Sequence, residues 1–561
     1  MPILTTYRRE DFERHYASGH WRPTTLLDVL DEHAARRADD LAVDDGVTRY
    51  SYGELRDAVT RFAWRLAALG LDRESMVAIQ LPNRTEFVIA ALAVARVEGI
   101  MSPIPMSAGP REVIDILESC GAEGYVVPDA LRGASWLENA RAVGAVVPGL
   151  RAVLVAGRRD AGDGLLPFWD PEPGPPVATM AVELEARYRP SPDAVLDLMY
   201  TSGTTGRPKG ILNTTNSKLA GLRGFLQATG LDDREVWAVL PPLAHNAGWL
   251  YSYLCAFLPG GPAYLLTEWS PAAALRLLVE KGVTAAFMVP TQARDLLDAY
   301  EAAGRMPRLE RLRRVGIGAA ETPAVLKDRM RAVWGTTPIA MYGMTECQAN
   351  LFTRPDDPWE VIRDTVGRAC PGMEVAIFDA DRTRRLRDGE VGEIATRGPG
   401  LFAGYYDNQR ATGASFNKAG WFFSGDLGAM REGNVTIHGR VKDVIIRGGH
   451  NIVPEAIEAY LAGHPRVADV AVVGVPDERL GERACVCVIP KDEPPALEDL
   501  VAHLRERGVG PHLWPELLLA VSEFPRTPLG KVQRARLRVE AIEAQRAGRL
   551  VGRAAPPGGT R

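Results

Sequence analysis

Cysteine is scarce in this sequence, with six among 561 residues. They are Cys120, Cys255, Cys347, Cys370, Cys485 and Cys487, and only the last two are close, as C-x-C. Nine histidines are scattered along the chain, so no His/Cys cluster completes a zinc set and no dense disulfide framework is spelled out. Reduced thiols in a cytoplasmic protein are the expectation. Long hydrophobic runs are missing too. The most apolar stretch, Trp249 to Leu258, is cut by Pro259, Gly260, Gly261 and Pro262 and is too short to span a bilayer. The opening MPILTTYRREDFERHY brings charge by residue 8 with no apolar run behind it, so no secretory leader is expected. Charge of one sign is absent as well. Lys and Arg number 66 against 71 Asp and Glu, a net charge of −5 with no basic arm, which argues against a nucleic-acid partner. No short-period repeat occurs.

What is present is the balance of a globular protein, 46% hydrophobic and 24% charged, in a length suited to roughly three to four domain-sized units. TLLDVLDEHAARR and YGELRDAVTRFAWRLAALG have helical spacing. Short apolar runs alternate with such spacers: MVAIQL, YVVPD, AVLVAG, WAVLPP, AAFMVP and RVGIGA. This alternation predicts an α/β fold with largely parallel sheets. Residues 160–192, rich in Pro, Gly and Asp, read as a surface connection. From about residue 372 the texture turns β-rich. After Gly439–Lys442 comes a small α+β unit, then a tail expected to be disordered.

The strongest motif is Thr201-Ser202-Gly203-Thr204-Thr205-Gly206-Arg207-Pro208-Lys209-Gly210, directly after the apolar run AVLDLMY. Its glycines let backbone N–H groups turn toward phosphate oxygens, its hydroxyls add donors, and Lys209 adds charge. It is not a Walker A loop, because Gly210 follows the lysine where that motif has Ser or Thr.

Ten consecutive residues of this kind resemble the phosphate-loop signature of the adenylate-forming superfamily, which includes acyl- and aryl-CoA synthetases, luciferase and peptide-synthetase adenylation domains. Four further segments resemble its other signatures in the same order. They are Tyr342-Gly343-Met344-Thr345-Glu346; Tyr405 followed by Trp421–Leu427 with Asp426; Gly439-Arg440-Val441-Lys442-Asp443 with Gly448-Gly449-His450; and Pro528-Leu529-Gly530-Lys531-Val532. The resemblance spans about residues 20–540. It implies a large N-terminal domain over 1–438 with its β-rich subdomain last, a hinge at 439–442, a small mobile C-terminal domain over 443–545 and a tail over 546–561.

The resemblance also implies a chemistry. A carboxylic acid and ATP, with Mg2+, give acyl-AMP and pyrophosphate; a pantetheine thiol, of CoA or of a carrier protein, then displaces AMP. Thr201 to Gly206 and Lys209 would hold phosphates. Gly318, Ala319, Ala320, Tyr342 and Gly343 would line the adenine site, with Tyr342 stacked on the base. Thr345 and Glu346 would stand beside the α-phosphate, Glu346 also on the metal. Asp426 would accept both ribose hydroxyls, with Arg440 adding a contact. Lys531 would compensate the charge that develops as the carboxylate attacks phosphorus. Lys442 would be the pivot between half-reactions, and Gly448 and Gly449 would line the thiol channel. His245 would border the acid and gate the thiol. Asn246, Ala247, Tyr251, Gly318, Ala319 and Ala349 would surround the acyl group.

Two branches of the superfamily share features with the chain: stand-alone aryl-acid ligases, and medium-chain or cyclic-acid CoA ligases. Ala247 stands where the aryl-acid ligases carry tyrosine, and Asn213 and Thr215 replace the histidines of the usual H-T-H. Small residues at 247, 319 and 349 predict a bulky cyclic or polycyclic acid from secondary metabolism or ring-acid degradation. Refilling of that space by Trp249 or Tyr251 is the alternative. A monomer or homodimer without membrane attachment is expected. A catalytically inactive binding homologue would be expected to have lost Lys531, Glu346 or Asp426, and all three are present.

Overall fold

The computed structural model of the chain describes residues 6–157, 162, 164–172, 174–201, 209–304, 309–447, 450–527 and 530–552. Two compact units divide it. The first comprises Met1–Glu374 with Thr396–Phe422, the second Val375–Ala395 with Phe423–Arg561.

The first unit is mixed α/β, built on two large sheets. In one, the strands Pro338–Met344, Arg314–Ile317, Ala285–Met288, Trp237–Val239, Ala263–Leu265 and Leu41–Asp44 run parallel, and Gln348–Phe352 closes antiparallel on the first of them. In the other, Val195–Thr201, Ile100–Pro103, Met76–Ile79, Gly124–Pro128 and Ala152–Ala156 run parallel. Strands covered on both faces have no polar side, which is why they read as short unbroken apolar runs. The expected helices begin where their caps dictate. Thr25 and Ser51 accept from the backbone N–H three residues on, and Asp28 and Glu54 return the bond, so Leu26–Arg36 and Tyr52–Ala68 each start at a capping box.

The second unit carries the sheet of Gly392–Arg397, Phe422–Arg431 and Asn434–Arg440, and beyond it a sheet centred on the hairpin Val467–Asp477 with Gly481–Pro490. Its core is Ile457, Leu461, Val472, Val486, Leu500 and Leu504, all buried. The six cysteines are free and buried. Among the described residues no helix is long and apolar enough to cross a membrane.

The structure adds to or departs from the sequence reading at several places. The connection over 160–192 contains a helix, Val177–Arg187, whose Met180 and Leu184, four residues apart, are buried on one face. The tail expected from residue 546 starts with ordered backbone: Val551 and Gly552 pair with Leu518 and Leu517, extending a sheet edge. The stretch Trp249–Leu258 is helical, with a widened π turn at Trp249–Tyr253. The expected pivot at 439–442 lies inside the second unit, and the β-rich segment Val375–Ala395 groups with that unit.

Candidate functional site

The phosphate-type loop connects two antiparallel strands, Val195–Thr201 and Lys209–Thr214, whose last pair is Thr201 with Lys209. The two ends of the loop are thus held side by side. Ser202, Gly203, Thr204, Thr205 and Gly206 lie outside the described residues. Strand Lys209–Thr214 pairs on its other edge with Gly404–Tyr405, Ile211 opposite Tyr405. That pairing sets the Lys209 ammonium over the Tyr405 ring at 4.9 Å. The Tyr405 hydroxyl donates to Glu346 Oε1 at 2.9 Å, and the Phe402 N–H donates to the Glu346 carbonyl at 2.8 Å. Three segments far apart in sequence converge here. Burial, then the adjacent Glu346 carboxylate, pushes the Tyr405 phenol up, so it stays a donor.

Glu346 follows the strand that carries Tyr342 and Gly343. A side chain at 343 would put its Cβ 1.8 Å from the Gln348 carbonyl oxygen, so only glycine fits there. Two non-glycine residues hold a left-handed backbone nearby, Ala319 at φ 65° and Gln348 at φ 57°. Such strain persists where surrounding structure enforces it, and it clusters at functional sites. Gly318 is buried, Ala319 exposed and Ala320 half-buried past the end of strand Arg314–Ile317; Tyr342 and Thr345 are half-buried.

Asn246 belongs to a ring of polar groups whose other four members are buried. Lys218 Nζ lies 2.8 Å from Asp197 Oδ2, with both side chains fully buried at 0% exposure. Lys218 also donates to Asn246 Oδ1 at 2.8 Å. Asn246 Nδ2 donates to Gln348 Oε1 at 3.2 Å. Gln348 Nε2 donates to Asn213 Oδ1 at 2.9 Å and to the Thr345 carbonyl at 3.2 Å. Asn213 Nδ2 donates to Asp197 Oδ1 at 3.2 Å, which closes the ring. Cross-strand register puts Asp197 opposite Asn213, and the Thr214–Ser217 capping box starts the helix that carries Lys218. Burial pushes Asp197 up and Lys218 down, and each opposes the shift of the other. Asn213, at a position where the resembling family has histidine, thus has a structural task. Sequence reading assigned no role to Asp197, Lys218 or Gln348. The available signal was an aspartate inside the apolar run AVLDLMY, a buried charge that demands a partner.

Tyr251 is buried, its hydroxyl accepts from the Ala349 N–H, and its ring packs near Phe225 and Phe287. It therefore occupies space beside Ala349. Trp249 does not; it stacks with Tyr253 and faces Phe87. The expected enlargement is thus reduced next to Ala349. Ala247 is buried, and its carbonyl accepts from Ser252 Oγ at 2.8 Å. His245 is half-buried, and its Nε2 has no hydrogen-bond partner among the described residues. Burial pushes its pKa down to about 4, so the ring is neutral at pH 7.

In the second unit, Asp426 and Arg440 are cross-strand partners joined by an ion pair of 3.0 Å. Asp426 is buried and Arg440 half-buried. Lys442 is exposed in the turn Val441–Asp443. Dehydration first, then the like charges of Arg440 and Lys442, bring Lys531 down to about 8 against the pull of Asp426 and Asp443. Lys531 itself reaches the surface, so its ammonium is crowded by neighbours and not sealed in the interior. Gly448 and Gly449 lie outside the described residues.

Magnesium is typically bound through one or two carboxylates plus substrate phosphates. Glu346 is a buried carboxylate, and among the described residues no group of three or more His, Cys, Asp or Glu could form a metal cage. That donor set fits a cation completed by a nucleotide.

Comparison with known proteins gives a consistent result. The model of the AMP-binding enzyme family matches residues 30–406, and that of the AMP-binding enzyme C-terminal domain matches 456–531. A 2,3-dihydroxybenzoate-AMP ligase of Bacillus subtilis (strain 168) is 34% identical, covering 96% of this chain and 97% of its own. A 2-hydroxy-7-methoxy-5-methyl-1-naphthoate–CoA ligase of Streptomyces carzinostaticus is 32% identical, covering 94% and 95%. The apo structure of MbtA from Mycobacterium smegmatis superposes with a TM-score of 0.71 at 31% identity, covering 96% of this chain and 99% of that one.

Proposed function

Since this chain belongs to the AMP-binding enzyme family and is an adenylate-forming acid ligase, we propose that it activates a cyclic or aryl acid as its acyl-AMP and transfers the acyl group to the thiol of CoA. The observation that carries the reading is the convergence of Lys209, Tyr405 and Glu346 at the mouth of the phosphate-type hairpin.

In the first half-reaction a carboxylate oxygen of the acid attacks the α-phosphorus of ATP and pyrophosphate leaves. From the first unit, Tyr342 stacks on adenine, Thr201 to Gly206 and Lys209 hold phosphates, and Thr345 and Glu346 stand at the α-phosphate. Glu346 would hold Mg2+, which when bound would supply charge neutralisation there. Tyr405 fixes the Glu346 carboxylate by its hydroxyl. By the family's pattern, Asp426 would accept the ribose hydroxyls with Arg440 beside it, and the Lys531 ammonium would compensate charge on the attacking and phosphate oxygens. In the second half-reaction the thiolate sulfur attacks the acyl carbon and AMP leaves. Lys442 absorbs the backbone change between the steps, Gly448 and Gly449 line the thiol path, and neutral His245 borders it without acting as a base.

The small side chain of Ala247, with a naphthoate ligase among the relatives, supports a ring acid larger than benzoate. Tyr251 beside Ala349 limits its width on that side. A second reading, delivery to a carrier protein, is favoured by the similarity to acid-AMP ligases. ATP–pyrophosphate exchange over a panel of benzoates, naphthoates and alicyclic acids, followed by addition of CoA or a pantetheinylated carrier, tests both. Acyl-CoA formation from a bicyclic acid is expected. Exchange without thioester on CoA would favour the carrier, and benzoate preferred over every larger acid would overturn the ring-size reading.

A further inference from the structure

The ring through Asp197, Asn213, Gln348, Asn246 and Lys218 has one consistent polarity. An ammonium only donates, so the Asn246 atom that Lys218 faces at 2.8 Å must be oxygen. An ionised carboxylate only accepts, so the Asn213 atom facing Asp197 must be nitrogen. The Gln348 nitrogen is fixed independently, because it faces the Thr345 carbonyl as well as Asn213 Oδ1. The Gln348 oxygen is therefore what meets Asn246 Nδ2. Reversing the Asn246 amide would set two donors against each other at Lys218 and two acceptors against each other at Gln348. Asn246 is only half-buried, whereas Lys218, Asp197, Asn213 and Gln348 are buried. Its oxygen is committed to Lys218 and one amide hydrogen to Gln348. The donor left over is the second N–H, beside one remaining lone pair on Oδ1.

We propose that the buried Asp197–Lys218 pair is a positioning pair that locks the Asn246 amide with an N–H toward the acid, so that the enzyme selects acids bearing a hydrogen-bond acceptor next to the carboxylate. The proposal rests on the reading above that Asn246 borders the acyl group. A buried ion pair adds little stability over apolar residues of similar volume. Stability alone therefore does not explain a fully buried lysine, and setting the sense of a neighbouring amide does. The same ring holds the Thr345 carbonyl, so the acid-side amide and the segment preceding Glu346 share one support.

The test uses matched acids, the 2-methoxy and 2-amino forms of benzoate and 1-naphthoate, in ATP–pyrophosphate exchange. The methoxy oxygen only accepts, while the arylamine chiefly donates. The full-length enzyme is expected to favour the methoxy acid by about tenfold in kcat/KM, the size of one hydrogen bond. The Asp197→Leu/Lys218→Met double variant removes both charges together. It is expected to keep its thermal midpoint while the methoxy-to-amino ratio falls toward one. A folded double variant with the wild-type ratio, or a wild type that prefers the amino acid, overturns the proposal. If that variant does not fold, Asn246→Asp decides. It keeps an acceptor for Lys218 and exchanges the N–H for oxygen, so the preference should invert, and an unchanged preference overturns the proposal. Exchange with none of these acids would remove the aryl-acid reading of the substrate, and this proposal with it; exchange without discrimination removes only the positioning pair.

Discussion

Two lysines show how differently the two units use charge. Lys218 in the first unit is sealed, with every neighbour of its ammonium specified: a carboxylate, an amide oxygen and the Met199 sulfur. Lys531 in the second unit reaches the surface in a group that holds more cations than anions, with Arg440 and Lys442 against Asp426 and Asp443. The first arrangement is complete, and completeness gives rigidity and orientation. The second is short of negative charge, which suits a group that must receive a phosphate or a carboxylate.

The contrast can be broken most forcefully at Lys218. Lys218→Met alone strands the Asp197 carboxylate in the interior and should cost about 3–5 kcal/mol in urea or guanidinium unfolding. A loss below about 1 kcal/mol would mean that Asp197 is already neutral. Lys531→Ala should leave folding nearly intact and lower pyrophosphate exchange by about 10²–10³. Thioester formation from preformed acyl-AMP should survive far better, and equal loss of both steps would contradict a lysine that serves only the first. Lys442→Pro fixes φ and restricts the preceding residue. Adenylation should persist while thiol transfer falls about a hundredfold; transfer at the wild-type rate would remove Lys442 as the pivot.

Titration sharpens the comparison. In its proposed role Lys531 acts protonated, and its pKa is lowered from 10.5 to about 8. Its share of the adenylation rate should therefore be full below pH 8 and fall about tenfold per pH unit above it. In Lys531→Arg that fall should move beyond the accessible range, and a fall that stays at the same pH belongs to another group. His245, neutral down to about pH 4, should contribute no inflection between pH 6 and 8. The smallest expected effect is at Ala247. Ala247→Tyr should exclude bicyclic acids and favour benzoates by about tenfold, the scale set by a few methylenes of volume. An unchanged acid profile would place residue 247 away from the acyl group.

The parallel strands and the first helices were legible because each rests on local pattern: short apolar runs for the strands, and apolar residues at helical spacing for the helices. The phosphate-type loop was legible for the same reason, since it is one contiguous segment. The Asp197–Lys218 pair was not. It joins a strand directly to a helix 21 residues later, and its ring runs on through three amides that could each be turned either way in a bare sequence. The position of Tyr251 was open too, because local spacing does not say which way a ring turns within a helix. The helix Val177–Arg187 was hidden by its Pro- and Gly-rich approach, although its own residues carry the helical spacing.

The π turn at Trp249–Tyr253 has a consequence for the choice of acid. A widened turn of this kind holds one residue more than the α-helix around it, and it rotates the residues before it relative to those after it. Loss of a single codon there would restore an ordinary helix and swing the upstream face by about 100°. His245, Asn246 and Ala247 would then present a different set of atoms, with no substitution among them. Deleting one residue from this turn is therefore expected to alter the profile of acids activated while His245, Asn246 and Ala247 all remain in the sequence.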